Sequence, residues 1–141
     1  MRPLLLAPVV LIAALLAGCA ASDADIARQD DRAARERTRL DRALAGYAPE
    51  RTQMCLSSID RRATRGTRYF GSTILYPLGN RIIRNDMNGS CPLERDPILV
   101  TQTPVSDVCR GDIAQLIDRA SRFPLGGCAY GDFVTYRRVR R

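Results

Sequence analysis

The chain predicts a mainly β fold, a small disulfide-braced β-barrel or sandwich preceded by a signal peptide and a charged N-terminal helix. Three observations point there. Beyond residue 50, short apolar runs alternate with Gly, Pro and Asn punctuation, the pattern of short strands joined by turns. Of five Cys, one sits at the end of an apolar leader, which leaves four for bridges. Between leader and strands lies a charged stretch with neither Gly nor Pro until Gly46, as a helix requires.

Met1 and Arg2 form a short positive start, and Leu4 to Leu16 is an unbroken apolar run of 13 residues. A permanent bilayer helix needs roughly 20, whereas this length suits the apolar region of a secretory signal. The run ends in Leu16-Ala17-Gly18-Cys19, which resembles the bacterial lipobox. In that class of signals the Cys is acylated on its thiol and becomes the new N-terminus. The resemblance implies that residues 1–18 are a lipoprotein signal peptide. It also makes Cys19 the lipidation site, carrying palmitate-type chains, and the membrane a partner through a lipid anchor. Ala20, where an Asp would signal retention, implies the outer membrane, facing the periplasm. More than one acyl chain gives stable attachment, where a single chain gives marginal binding.

With Cys19 consumed, Cys55, Cys91, Cys109 and Cys128 remain. An even number in an exported chain reads as two disulfides. Their spacings of 36, 18 and 19 residues contain no C-x-x-C, and the chain has no His, so a zinc site is not expected. Three pairings are open. With no close C-x-x-C pair, the bridges are read as structural, not redox-active.

Residues 19–49 read as the lipidated Cys and a charged helical tether. Ser22 can cap a helix with Asp23 and Asp25 in its first turn, and the helix is expected over Ser22–Ala48. It holds six acids against Arg28, Arg32, Arg35, Arg37, Arg39 and Arg42. Ile26, Ala33, Leu40 and Leu44 form a thin apolar stripe, so the expectation is a solvated spacer, with a short coiled coil as the alternative.

Residues 50–141 read as the four-cysteine domain with a basic C-terminal tail. Met54–Ile59, Arg68–Pro77, Arg81–Asp86, Pro97–Thr103 and Cys128–Val139 are candidate strands. Turns are expected at Leu78-Gly79-Asn80 and Asn88-Gly89. In Asp112–Ala120, Ile113, Leu116, Ile117 and Ala120 fit i, i+3, i+4, i+7, and this period predicts a helix.

The order Cys55, Cys91-Pro92-Leu93, Cys109-Arg110-Gly111-Asp112 and Cys128-Ala129-Tyr130-Gly131-Asp132-Phe133 resembles a small four-cysteine exported proteobacterial domain of unknown function, over roughly residues 50–138. That resemblance implies a small β-barrel in which the Gly-Asp segment is a strand, against the period. It implies no activity.

All 22 cationic side chains are Arg, and the chain lacks Lys as well as His. Nucleophiles paired with His, Ser–Lys dyads, Schiff-base lysines and P-loops are therefore excluded. Carboxylate-only chemistry remains, so the alternative function is a small periplasmic hydrolase using Asp or Glu. Nothing in the spacing of the nine acids beyond residue 49 singles out a pair. The oxygen-rich set Asp86, Asn88, Glu94 and Asp96 does not meet the calcium-loop order. Arg110-Gly111-Asp112, an adhesion tripeptide, reads as a Gly-dependent turn. No metal and no cofactor are expected.

Residues 50–141 carry 15 Arg against nine acids. Arg61, Arg62 and Arg65 form one anion-binding candidate, with Arg68 beside them; Arg137, Arg138, Arg140 and Arg141 form the other. Such clusters attract polyanions. In the envelope these are acidic polymers, or an envelope protein, and not nucleic acid. The function expected is a non-enzymatic envelope binding or structural module.

Overall fold

The computed structural model describes residues 22–89 and 91–139. The leader, Cys19, Arg140 and Arg141 lie outside them. The chain divides into two compact units at Ala34–Arg35. Helix α1 (Asp23–Leu44) begins in the first. There the Ser22 hydroxyl accepts from the Asp25 N–H at 3.2 Å and donates to the Asp25 carboxylate at 2.6 Å, a reciprocal cap on the first turn. Those contacts, and then Arg28, hold the Asp25 carboxyl below its ordinary range.

The second unit starts at Arg35 and therefore includes the last turns of α1, which the sequence assigned to a tether running to residue 49. Leu40 is the buried residue of α1. It packs with Leu75 and Ile82, and Ala43, Leu44, Tyr47, Phe70 and Tyr136 close around them. The helix ends at Leu44, short of the expected Ala48, because Gly46 takes φ +80°, a left-handed conformation that suits glycine.

The chain then enters β1 (Tyr47–Gln53), an edge strand the sequence does not predict. Next come β2 (Cys55–Leu56), α2 (Ser58–Ala63), β3 (Arg68–Phe70), β4 (Thr73–Leu78) and β5 (Arg81–Asp86). A 3-10 turn at Leu93–Arg95 leads to β6 (Ile98–Thr101), β7 (Val108–Cys109), β8 (Ile113–Ile117), β9 (Pro124–Ala129) and β10 (Phe133–Arg138). The largest sheet is antiparallel in the order β1-β10-β5-β4-β3, the second is β6-β8-β9, and β2-β7 is a short ladder. The sheets do not close into a barrel; the arrangement is sandwich-like.

Successive residues of a strand face opposite sides, and both sides of β4 are covered. Ile74 and Tyr76 join Ile83, Phe133, Ala114 and Leu116 in the core between the sheets, while Leu75 turns to α1. This explains why β4 reads as a continuous apolar run.

Four expectations are corrected. Arg68–Pro77 is broken at Gly71-Ser72 into β3 and β4, and Cys128–Val139 is broken between β9 and β10 at Tyr130-Gly131-Asp132. Residues 113–117 form a strand, not a helix: Ile113 is 55% exposed while Ala114 and Leu116 are fully buried, a period of two. The helical match required Ile113 to face inward. Met54–Ile59 is a strand only at Cys55–Leu56, because Ser57 caps α2 by accepting from the Asp60 N–H at 3.0 Å.

The cysteines pair as Cys55–Cys109 and Cys91–Cys128. Cys55 and Cys109 stand opposite each other across β2 and β7. Cys91 and Cys128 lie in the main core. Sequence separations of 54 and 37 residues make each bridge worth about 4 kcal/mol in the chain-entropy account.

The segment Cys128-Ala129-Tyr130-Gly131-Asp132-Phe133 has a packing reason at most positions. Phe133 is fully buried and stacks with the Tyr130 ring at 5.9 Å. A Cβ on Gly131 would run into the Asp86 carbonyl oxygen, and the Gly131 carbonyl accepts from Asn85 Nδ2 at 2.8 Å. Asp132 bridges to Arg110 at 3.0 Å.

Candidate functional site

Arg61 and Arg62 occupy the last turn of α2, and Arg65 follows in a turn whose N–H donates to the Pro77 carbonyl. All three are exposed, as is Arg68 at the start of β3. Among the described residues none of the four makes an ion pair. Arg61 spends one N–H on the Ser106 carbonyl at 3.3 Å.

The C-terminal cluster is differently placed. Arg137 is bound to Glu50 at 2.7 Å, a contact that holds the Glu50 carboxyl below its usual range. Arg138 donates to the Tyr47 hydroxyl at 3.1 Å and lies over that ring at 5.3 Å. Arg140 and Arg141 fall outside the described residues.

The elements that carry the two clusters are linked through Arg81. Arg137 is in register with Arg81 on β5, and Arg81 reaches across to Asp60 on α2 at 2.6 Å. Arg81 therefore joins the helix carrying Arg61 and Arg62 to the strand carrying Arg137 and Arg138, a link with no signal in the sequence.

Beside α2 a cleft of about 280 Å³ opens between the sheets. Arg61, Thr64 and Thr67 line it from the helix side, Tyr69, Ile74 and Tyr76 from β3 and β4, and Leu99, Thr101 and Tyr130 from the opposite wall. The Tyr130 and Thr101 hydroxyls bond at 3.2 Å. Burial, and then the neighbouring Tyr130 and Tyr69 hydroxyls, push the Tyr76 phenol well above its ordinary range. Burial also raises Tyr69. These residues come from distant segments, and the sequence reading missed them as a group.

Most carboxylates already hold structure. Besides Glu50, Asp60 and Asp132, Asp86 binds Arg84 and the Thr73 hydroxyl, and Asp96 binds Arg119. Asp107 accepts from the Ser58 N–H, and Asp118 accepts from the N–H groups of Ala120 and Ser121. The Ser121 contacts hold Asp118 below its ordinary range. Asp86 and Asp96 thus face different cations, Arg84 and Arg119. Among the described residues no group of three or more His, Cys, Asp or Glu is placed to hold a metal ion. Arg110-Gly111-Asp112 is a turn: Gly111 has φ +92°, and Asp112 accepts from the Cys109 N–H at 2.7 Å.

The chain matches no protein-family model, no curated protein and no solved structure. The likeness to the four-cysteine exported domain rests on the residues quoted for it above.

Proposed function

We propose that the chain is a lipoprotein anchored through Cys19 in the outer membrane, facing the periplasm. Its domain is a non-enzymatic envelope module that holds acidic envelope polymer on an arginine face. The address is supported by the lipobox-like Leu16-Ala17-Gly18-Cys19, and two disulfides fit an oxidising compartment. The observation that carries the binding role is the clustering of Arg61, Arg62 and Arg65 without carboxylate partners among the described residues, joined through Asp60 and Arg81 to the C-terminal arginines. Uncompensated guanidiniums gathered on one face focus a field on polyanions and fit carboxylate or phosphate with paired hydrogen bonds.

The test is cosedimentation of the acylated protein with purified cell-wall sacculi at rising salt. Binding through exposed arginines weakens steeply as the Debye length shrinks from about 10 Å at 0.1 M to about 3 Å at 1 M. The triple variant R61Q/R62Q/R65Q is expected to stay folded and to lose most of the bound fraction. Binding that ignores both salt and this variant contradicts the reading. Loss of function on an Asp→Asn or Glu→Gln change in a folded domain would favour a carboxylate hydrolase.

A further inference from the structure

Among the described residues, one charged side chain lines the cleft beside α2. Arg61 is its guanidinium, and no carboxylate lines its walls. With one N–H directed at the Ser106 carbonyl, the rest of the fork is available to a ligand, and a guanidinium binds a two-oxygen anion with paired hydrogen bonds. Much of the remaining polar wall is hydroxyl: Thr67, Tyr69, Thr101 and Tyr130. Each hydroxyl both donates and accepts, so it can answer a ligand hydroxyl in either sense. Phenols are neutral at physiological pH, and burial moves Tyr69 and Tyr76 further from ionisation, so they do not repel an anion. Half-buried Leu99 adds apolar surface suited to the C–H face of a ring.

From this set the geometry points to a singly charged, polyhydroxylated ligand, an acidic sugar residue of the uronic-acid kind. Its carboxylate lies on Arg61 and its hydroxyls on Tyr69, Thr101 and Tyr130. A phosphate dianion is best held by more than one cation, and among the described residues no second cationic side chain lines the cleft. An amine meets no carboxylate there. The cavity of about 280 Å³ lies near the lower edge of small-molecule sites, which suits one ring better than several. The inference rests on the proposed envelope-binding role and specifies the unit of the acidic polymer that the domain grips.

The experiment is calorimetric titration of the full acylated protein in detergent micelles with glucuronate, glucose and inorganic phosphate. Glucuronate is expected to bind at least about tenfold more tightly than glucose, the worth of one charge-assisted contact. R61Q should bring glucuronate down to the glucose level. Tyr130→Phe, which keeps the ring stacked on Phe133, should weaken both sugars. Phosphate binding as tight as glucuronate would overturn the sugar assignment, and glucuronate binding untouched by R61Q would overturn the cleft. If glucuronate fails to bind while sacculi still sediment the protein, the cleft falls and the arginine face stands. If both fail, both fall.

Discussion

The large sheet buries its two faces to very different depths. Its inner face meets the second sheet in a core that includes Phe133, Ile74, Ile83 and Leu116, each fully buried, together with the Cys91–Cys128 bridge. Its outer face meets only the end of α1, where Leu40, Leu75 and Ile82 make a small cluster. The inner core is stapled and crowded; the outer one is three buried aliphatic residues ringed by half-buried Ala43, Leu44, Tyr47, Phe70 and Tyr136. The difference shows how a helix that is largely polar belongs to the domain at its C-terminal end, through buried Leu40, half-buried Ala43 and Leu44, and Arg39 over the Phe70 ring at 5.7 Å.

Truncations should separate the two faces. Phe133→Ala removes a fully buried ring stacked on Tyr130 and is expected to cost about 4 kcal/mol in denaturant unfolding. Leu40→Ala opens the smaller cluster at a residue that keeps 8% exposure and should cost about 2 kcal/mol. Equal losses would mean that α1 is as integral as the sandwich core.

A smaller effect of opposite sign is expected on the inner face. The Thr135 hydroxyl is buried and has no hydrogen-bond partner among the described residues. Replacing a buried, unanswered hydroxyl with a methyl removes its desolvation cost, so Thr135→Val should raise stability by about 1 kcal/mol. A destabilised Thr135→Val protein would show that the hydroxyl is satisfied in solution.

The mildest test uses alkali. The folded-state pKa of Tyr76 lies above the ordinary 10.0. Its contribution to stability is therefore complete below pH 10 and is lost as pH rises beyond it, where the unfolded chain ionises first. Near-ultraviolet titration of the folded protein should show Tyr69 and Tyr76 ionising above the ordinary tyrosine range. Tyr76→Phe should soften the alkaline loss of stability. Ionisation of Tyr69 and Tyr76 in the ordinary tyrosine range while the protein stays folded would contradict the burial of the cleft wall.

The two faces also differ in how far the sequence exposed them. The β4–β5 hairpin was legible because its signals are local: an apolar run, Gly79-Asn80, then a second run. Edge strand β1 was not. Tyr47–Gln53 contains Pro49 and two charged residues, and it pairs only with β10, so nothing in its own pattern marks it. Proline is tolerated there because an edge strand has one unpaired side. In β8 an outward isoleucine imitated a helical period. The Ser57-to-Asp60 cap that starts α2 was present in the sequence but lay inside a run read as a strand. The arginine clusters were visible as charge runs. The link between their elements through Arg81 and Asp60, the cysteine pairing and the tyrosine-lined cleft all depend on long-range contacts that no local pattern encodes.

The central claim is that this is an acylated, fully bridged envelope protein, and intact mass tests it most directly. Protein taken from native membranes would be alkylated with and without prior reduction and weighed whole. The account predicts a chain that begins at Cys19, carries acyl mass, and gains four alkyl groups only after reduction. A chain that keeps Met1 and alkylates without reduction would contradict the anchor and the bridges together, and with them the envelope role.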